Sequence, residues 1–86
     1  MTYTYIPKGV CSSRIDLELE GDTIQSVSFT GGCNGNLQGI CRLVKGMKAQ
    51  EAVDKLQGIQ CGYKPTSCPD QLSRALTEAV EAAKKA

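Results

Sequence analysis

The sequence contains no histidine and no tryptophan, a single phenylalanine (Phe29), and only three tyrosines, Tyr3, Tyr5 and Tyr63. Large aromatic anchors are therefore scarce, and the core must be built mainly from Leu, Ile, Val and Ala. No stretch approaches the roughly 18 apolar residues of a membrane-spanning helix. The net charge is only +1, which gives no electrostatic basis for binding nucleic acid or a membrane surface. Met1 to Ile6 lacks the basic segment and continuous apolar stretch of a secretion signal, so the protein is expected to remain in the cytosol. The tyrosines read as packing groups rather than base-stacking platforms.

At 86 residues the chain has the length of one domain, 1–86. A domain of this size buries only about 60–65% of its unfolded surface and is marginal without a further source of stability. What the chain does have is sulfur: five cysteines, Cys11, Cys33, Cys41, Cys61 and Cys68. An odd number in a reducing compartment argues against a disulfide framework and towards metal or redox chemistry. The competing reading is that each is a small buried apolar group.

The hydrophobic pattern gives a strands-then-helices order. Thr2 to Ile6 alternates as a strand and is broken at Pro7, Lys8 and Gly9. Arg14 to Glu20 alternates with Ile15, Leu17 and Leu19 on one face. Gly21-Asp22 is a turn, and Thr23 to Thr30 is a third strand. Ile24 is out of phase with Val27 and Phe29, which predicts a bulge near Gln25 and Ser26. After the turn-rich segment Gly31–Asn36, the residues Leu37, Ile40, Cys41 and Val44 recur at helical spacing, with Gly46 at the end. A short helix is expected over Ala49–Leu56. The last helix carries Leu72, Ala75, Leu76, Ala79, Val80 and Ala83 on one stripe. Pro69 suits its first position and Asp70 its N-terminal dipole, while Lys84 and Lys85 suit its C-terminal one. The expected architecture is α+β: a small antiparallel three-stranded meander followed by three helices packed on one face.

This topology bears on the cysteines. The loop before the second strand carries Cys11 and the loop after the third carries Cys33. Both lie at the end of the meander opposite the Gly21-Asp22 hairpin. Cys61 and Cys68 bracket a loop containing Gly62 and Pro65. Cys68 stands at the start of the last helix, where the helix dipole lowers thiol pKa values. Four thiolates without imidazole suit tetrahedral zinc or an iron–sulfur cluster. Asp70 is a candidate accessory ligand. Cys41 lies on an apolar helical stripe and reads as packing, the alternative being a fifth thiol directed towards Cys33. Gly31, Gly32 and Gly35 form a phosphate-loop candidate, although the pattern matches neither established phosphate-binding fingerprint. Their other reading is that they supply the backbone angles that present Cys33.

The string Thr66-Ser-Cys-Pro-Asp70 resembles the signature of the TSCPD domain. The resemblance extends to Gly9-Val-Cys11, Phe29-Thr-Gly-Gly-Cys-Asn-Gly-Asn-Leu37, Gly46-Met47 and Gly58-Ile-Gln-Cys-Gly62. The chain is similar to short stand-alone members described by four cysteines, which match Cys11, Cys33, Cys61 and Cys68 and leave Cys41 outside. Related domains end adenosylcobalamin-dependent ribonucleotide reductases. The resemblance therefore implies a metal-bearing accessory to ribonucleotide reduction, and to DNA synthesis and nucleotide binding through it. The chain is too short to hold the catalytic barrel, so it is expected not to be an enzyme alone. A weaker similarity is to iron–sulfur scaffold proteins. Expected partners are a ribonucleotide reductase or an iron–sulfur protein. Two other readings are a thiol redox relay using a Cys61–Cys68 disulfide, and a plain interaction domain that forms a homodimer through the exposed sheet face.

Overall fold

The computed structural model describes residues 2–10, 12–32, 34–60, 62 and 65–85. Cys11, Cys33, Cys61 and Tyr63, named above, lie outside the described residues. The chain runs β1 (Thr2–Tyr5), β2 (Ser12–Glu20), β3 (Thr23–Gly31), α1 (Asn34–Val44), α2 (Ala49–Leu56) and α3 (Cys68–Lys85). The strands form an antiparallel sheet in the order β1-β2-β3, the expected meander, and three helices follow.

Alternation decides which side of the sheet is covered. Ile15, Leu17 and Leu19 of β2 are fully buried, as is Ile24 of β3, and Val27 beside it is buried. The intervening Arg14, Ser26, Ser28 and Thr30 face solvent. The bulge foreseen at Gln25 is present: Leu19 pairs with Ile24 while Glu18 pairs with Ser26, so Gln25 is the extra residue. It restores Ile24 to the inward face. The helices close over that face. Val44 of α1, Ala49, Ala52 and Val53 of α2, and Leu72, Ala75, Leu76 and Ala79 of α3 join the same apolar cluster.

Small residues at Ala49, Ala52, Ala75 and Ala79, all inaccessible to solvent, allow α2 and α3 to approach closely. The scarcity of large aromatics is thus met by small residues at the helix contact. The segment linking α1 to α2 folds back on the β3 edge. The Ile24 amide donates to the Met47 carbonyl at 2.9 Å, Gly46 N donates to Ile24 O at 2.8 Å, and Ala49 N donates to Asp22 O at 2.7 Å. No helix is long and apolar enough to cross a membrane among the described residues.

Candidate functional site

The signature segment Thr66–Asp70 forms the start of α3, and its side chains act chiefly on backbone. Ser67 is the N-cap: its Oγ accepts the Asp70 N–H at 3.1 Å, and its carbonyl accepts the Gln71 N–H at 2.8 Å. The Ser67 hydroxyl also donates to the Ile59 carbonyl at 2.6 Å. The residue three positions after an N-cap commonly reaches back to the cap's own amide. Asp70 is turned elsewhere. Its Oδ1 accepts the Gly58 N–H at 2.8 Å and its Oδ2 accepts the Thr66 hydroxyl at 2.5 Å. The Arg74 Nε lies 3.5 Å from Oδ2. Asp70 is only 4% exposed, and both of its carboxylate oxygens are engaged.

Gln71 extends this network to the first strand. Its Nε2 donates to Thr66 Oγ1 at 3.0 Å. Its Oε1 accepts from the Tyr5 hydroxyl at 3.2 Å and from the Lys8 backbone amide at 3.1 Å. Three separate segments, residues 5–8, 58–59 and 66–67, are thus bonded around one helix start. The Thr66 hydrogen bond is the main reason the Asp70 carboxyl is held below the ordinary aspartate value, with burial opposing it and the Gly58 amide and Arg74 assisting. Among the described residues no buried side-chain nitrogen or oxygen lacks a partner.

Cys68 occupies the first turn that this network fixes. It is a half-buried free thiol, and its Sγ lies 3.3 Å from the hydroxyl of Ser12, the first residue of β2. Gly32, just past the end of β3, packs against the same serine. A Cβ at Gly32 would stand 3.2 Å from Ser12 N and 2.9 Å from Leu37 Cδ1. Gly31 and Gly32 have φ of 79° and 80°, the left-handed conformation that glycine adopts without penalty. Their torsions turn the chain from β3 into α1. Gly35 lies in the first turn of α1 with open space around it. The sequence neighbours of Cys11 and Cys33, namely Ser12 and Gly32, therefore meet beside Cys68. Ile59, two positions before Cys61, is bonded to Ser67 beside Cys68 as well.

Cys41 belongs to different surroundings. It is a half-buried free thiol on α1, packed against the apolar cluster. It lines an open groove of about 370 Å³ together with Phe29, Leu37 and Arg42. Burial pushes its thiol pKa up. Among the described residues no group of three or more Cys, Asp or Glu side chains is arranged to hold a metal; three of the four expected sulfur ligands lie outside them. Ser12, Ser67 and Gln71 escaped the sequence reading. The Ser67-x-x-Asp70 spacing ahead of an apolar stripe is a capping signal that identifies Ser67. Nothing comparable marks Ser12 or Gln71.

Sheet, helices and network define a small α+β domain that displays a thiol on the first turn of its last helix. The family model of the TSCPD domain matches residues 1–80, and the chain belongs to that family. No curated protein and no solved structure gave a match.

Proposed function

We propose that the chain is a metal-binding module that holds zinc or an iron–sulfur cluster on Cys11, Cys33, Cys61 and Cys68, as an accessory to ribonucleotide reduction in the cytosol rather than a catalyst alone. The observation that carries this reading is the convergence at the Cys68 corner. The Cys68 sulfur is 3.3 Å from the Ser12 hydroxyl, and Gly32 lies against the same serine. Chain neighbours of two distant cysteines thus reach a third. The donor set also fits: thiolate sulfur suits both groups, and a hydroxyl beside the sulfur is the outer-shell partner such ligands commonly have. The link to ribonucleotide reduction rests on the family alone.

Metal analysis and an absorbance spectrum after anaerobic purification test the reading. About one zinc per chain, or iron with visible charge-transfer absorbance, is the expected result for a closed thiolate site. Cys68→Ser should lower the content, and metal-free protein from every preparation would overturn the reading. A redox relay is the second reading. It is favoured by the Ser67–Ile59 bond of 2.6 Å, which draws together the ends of the segment leading from Cys61 to Cys68. It requires those two thiols to disappear together on mild oxidation and to return on reduction.

A further inference from the structure

We propose that Ser12 is a positioning residue of the cysteine site, aimed at Cys68 by a β-bulge at Ser13. The inference rests on the reading of Cys68 as a ligand. Along β2, the inward positions are Ile15, Leu17 and Leu19. An unbroken two-residue period would place Ser13 on that face and turn Ser12 to solvent. The pairing is interrupted instead. Ser12 pairs with Gly31, and Arg14 pairs with the adjacent Thr30, so Ser13 is the additional residue. Gly31 shares its face with Val27 and Phe29, which pack on the core. Ser12 is consequently turned inward and is 3% exposed, whereas Ser13 is exposed and spends its hydroxyl on the Thr30 carbonyl.

The inward turn brings the Ser12 hydroxyl to 3.3 Å from Cys68 Sγ. Ser12 is backed on its other side by Gly32. A Cβ there would come within 3.2 Å of the Ser12 nitrogen and 3.4 Å of its Cβ. The series Leu37, Gly32, Ser12, Cys68 therefore runs from α1 to α3 through the end of the sheet. Among the described residues the Ser12 hydroxyl has no partner other than the Cys68 sulfur. A purely space-filling role needs no hydroxyl at this position. Bulges recur where a side chain is re-aimed at a functional site, and a hydroxyl that donates to a ligating sulfur orients it and stabilises the thiolate form that binds metal.

The test compares the wild-type chain with Ser12→Ala and Ser13→Ala. Each is loaded with zinc for competition against a chromophoric chelator and with cobalt(II) for spectroscopy. Each is also melted and alkylated metal-free. The expected result for Ser12→Ala is zinc affinity lower by about 10–100-fold, a shifted thiolate-to-cobalt charge-transfer band, and an unchanged metal-free melting temperature. Ser13→Ala should match wild type. Unchanged affinity and an unchanged cobalt band in Ser12→Ala would overturn the proposal, as would an affinity loss fully accompanied by metal-free unfolding. Should wild type bind neither metal, the ligand reading fails by itself. The alkylation rate of Cys68 then decides: altered by Ser12→Ala, it upholds the contact as positioning the sulfur, and unaltered, it removes the contact's role.

Discussion

At the scale of single residues, the signature string works as scaffolding around one thiol. Thr66, Ser67 and Asp70 give their polar atoms to backbone, to one another and to Gln71 and Arg74 of the same helix, and Cys68 alone in the string displays its side-chain heteroatom beside a strand. Asp70 carries the most. Replacing it with Ala orphans the buried Thr66 hydroxyl, a loss of about 1–3 kcal/mol, and releases the amide of the exposed Gly58 to water. Its depressed pKa fixes the pH dependence. The contribution is fully present above the ordinary aspartate value near about 3.9. It is lost as pH falls through the lower folded value. Urea midpoints measured from pH 6 down to pH 2 should therefore fall less steeply for Asp70→Ala than for wild type, from a lower starting point. Equal slopes would refute the assignment. Sequence reasoning placed Asp70 at the helix start through its dipole but gave no hint of Gly58 as its partner. Hydrogen bonds between residues 12 positions apart leave no local pattern to read.

At the scale of elements, regular segments were legible because burial imposes their periods. The α2 bounds, the three strands and the Gln25 bulge all follow from where apolar residues recur. The second bulge, at Ser13, was not. Neither Ser12 nor Ser13 is apolar, so a shift between them leaves no break in a hydrophobic pattern, and the alternation marks the strand only from Arg14. The role of Gly32 likewise needs three dimensions, since the turn-rich composition around it suits many conformations. Two glycines separate backbone freedom from packing. Gly21 has φ of 62° with nothing within 4 Å of an added Cβ, whereas Gly32 has φ of 80° and an added Cβ would meet Leu37 Cδ1 at 2.9 Å and Ser12 N at 3.2 Å. Gly21→Ala should lose about 1–2 kcal/mol to left-handed strain. Gly32→Ala should lose about 2–4 kcal/mol, strain together with overpacking. Chemical denaturation of the two variants side by side measures the difference, and equal losses would show that Gly32 is there for its torsion alone.

At the scale of the whole molecule, the three helices share one apolar cluster with a three-stranded sheet, and the opposite sheet face is left to hydroxyls and charges. That polar face, with Thr2, Thr4, Ser26, Ser28 and Thr30 exposed, offers little apolar area to a second copy. Partner contacts through the Cys68 corner would use a surface of different chemistry. The corner gathers the start of β2, the end of β3, and α1 and α3 through Leu37 and Cys68. Small domains have little stability to spare, and a bound metal there would join segments that are distant in sequence at one point.

The lopsided anchoring of α3 has a consequence for how the molecule breathes. Its N-cap and first turn are bonded to residues 5–8, 58–59 and 66, and Leu72, Ala75, Leu76 and Ala79 beyond them are completely buried. Glu81 and Lys84 are exposed, and Ala82 and Ala83 are half-buried. In deuterated water, amides from Leu72 to Ala79 should be among the last in the chain to take up label, requiring global opening. Those after Glu81 should label through local opening of the sparsely packed last turn. The boundary between slow and fast uptake thus falls about one turn after the last fully buried alanine, within a single unbroken helix.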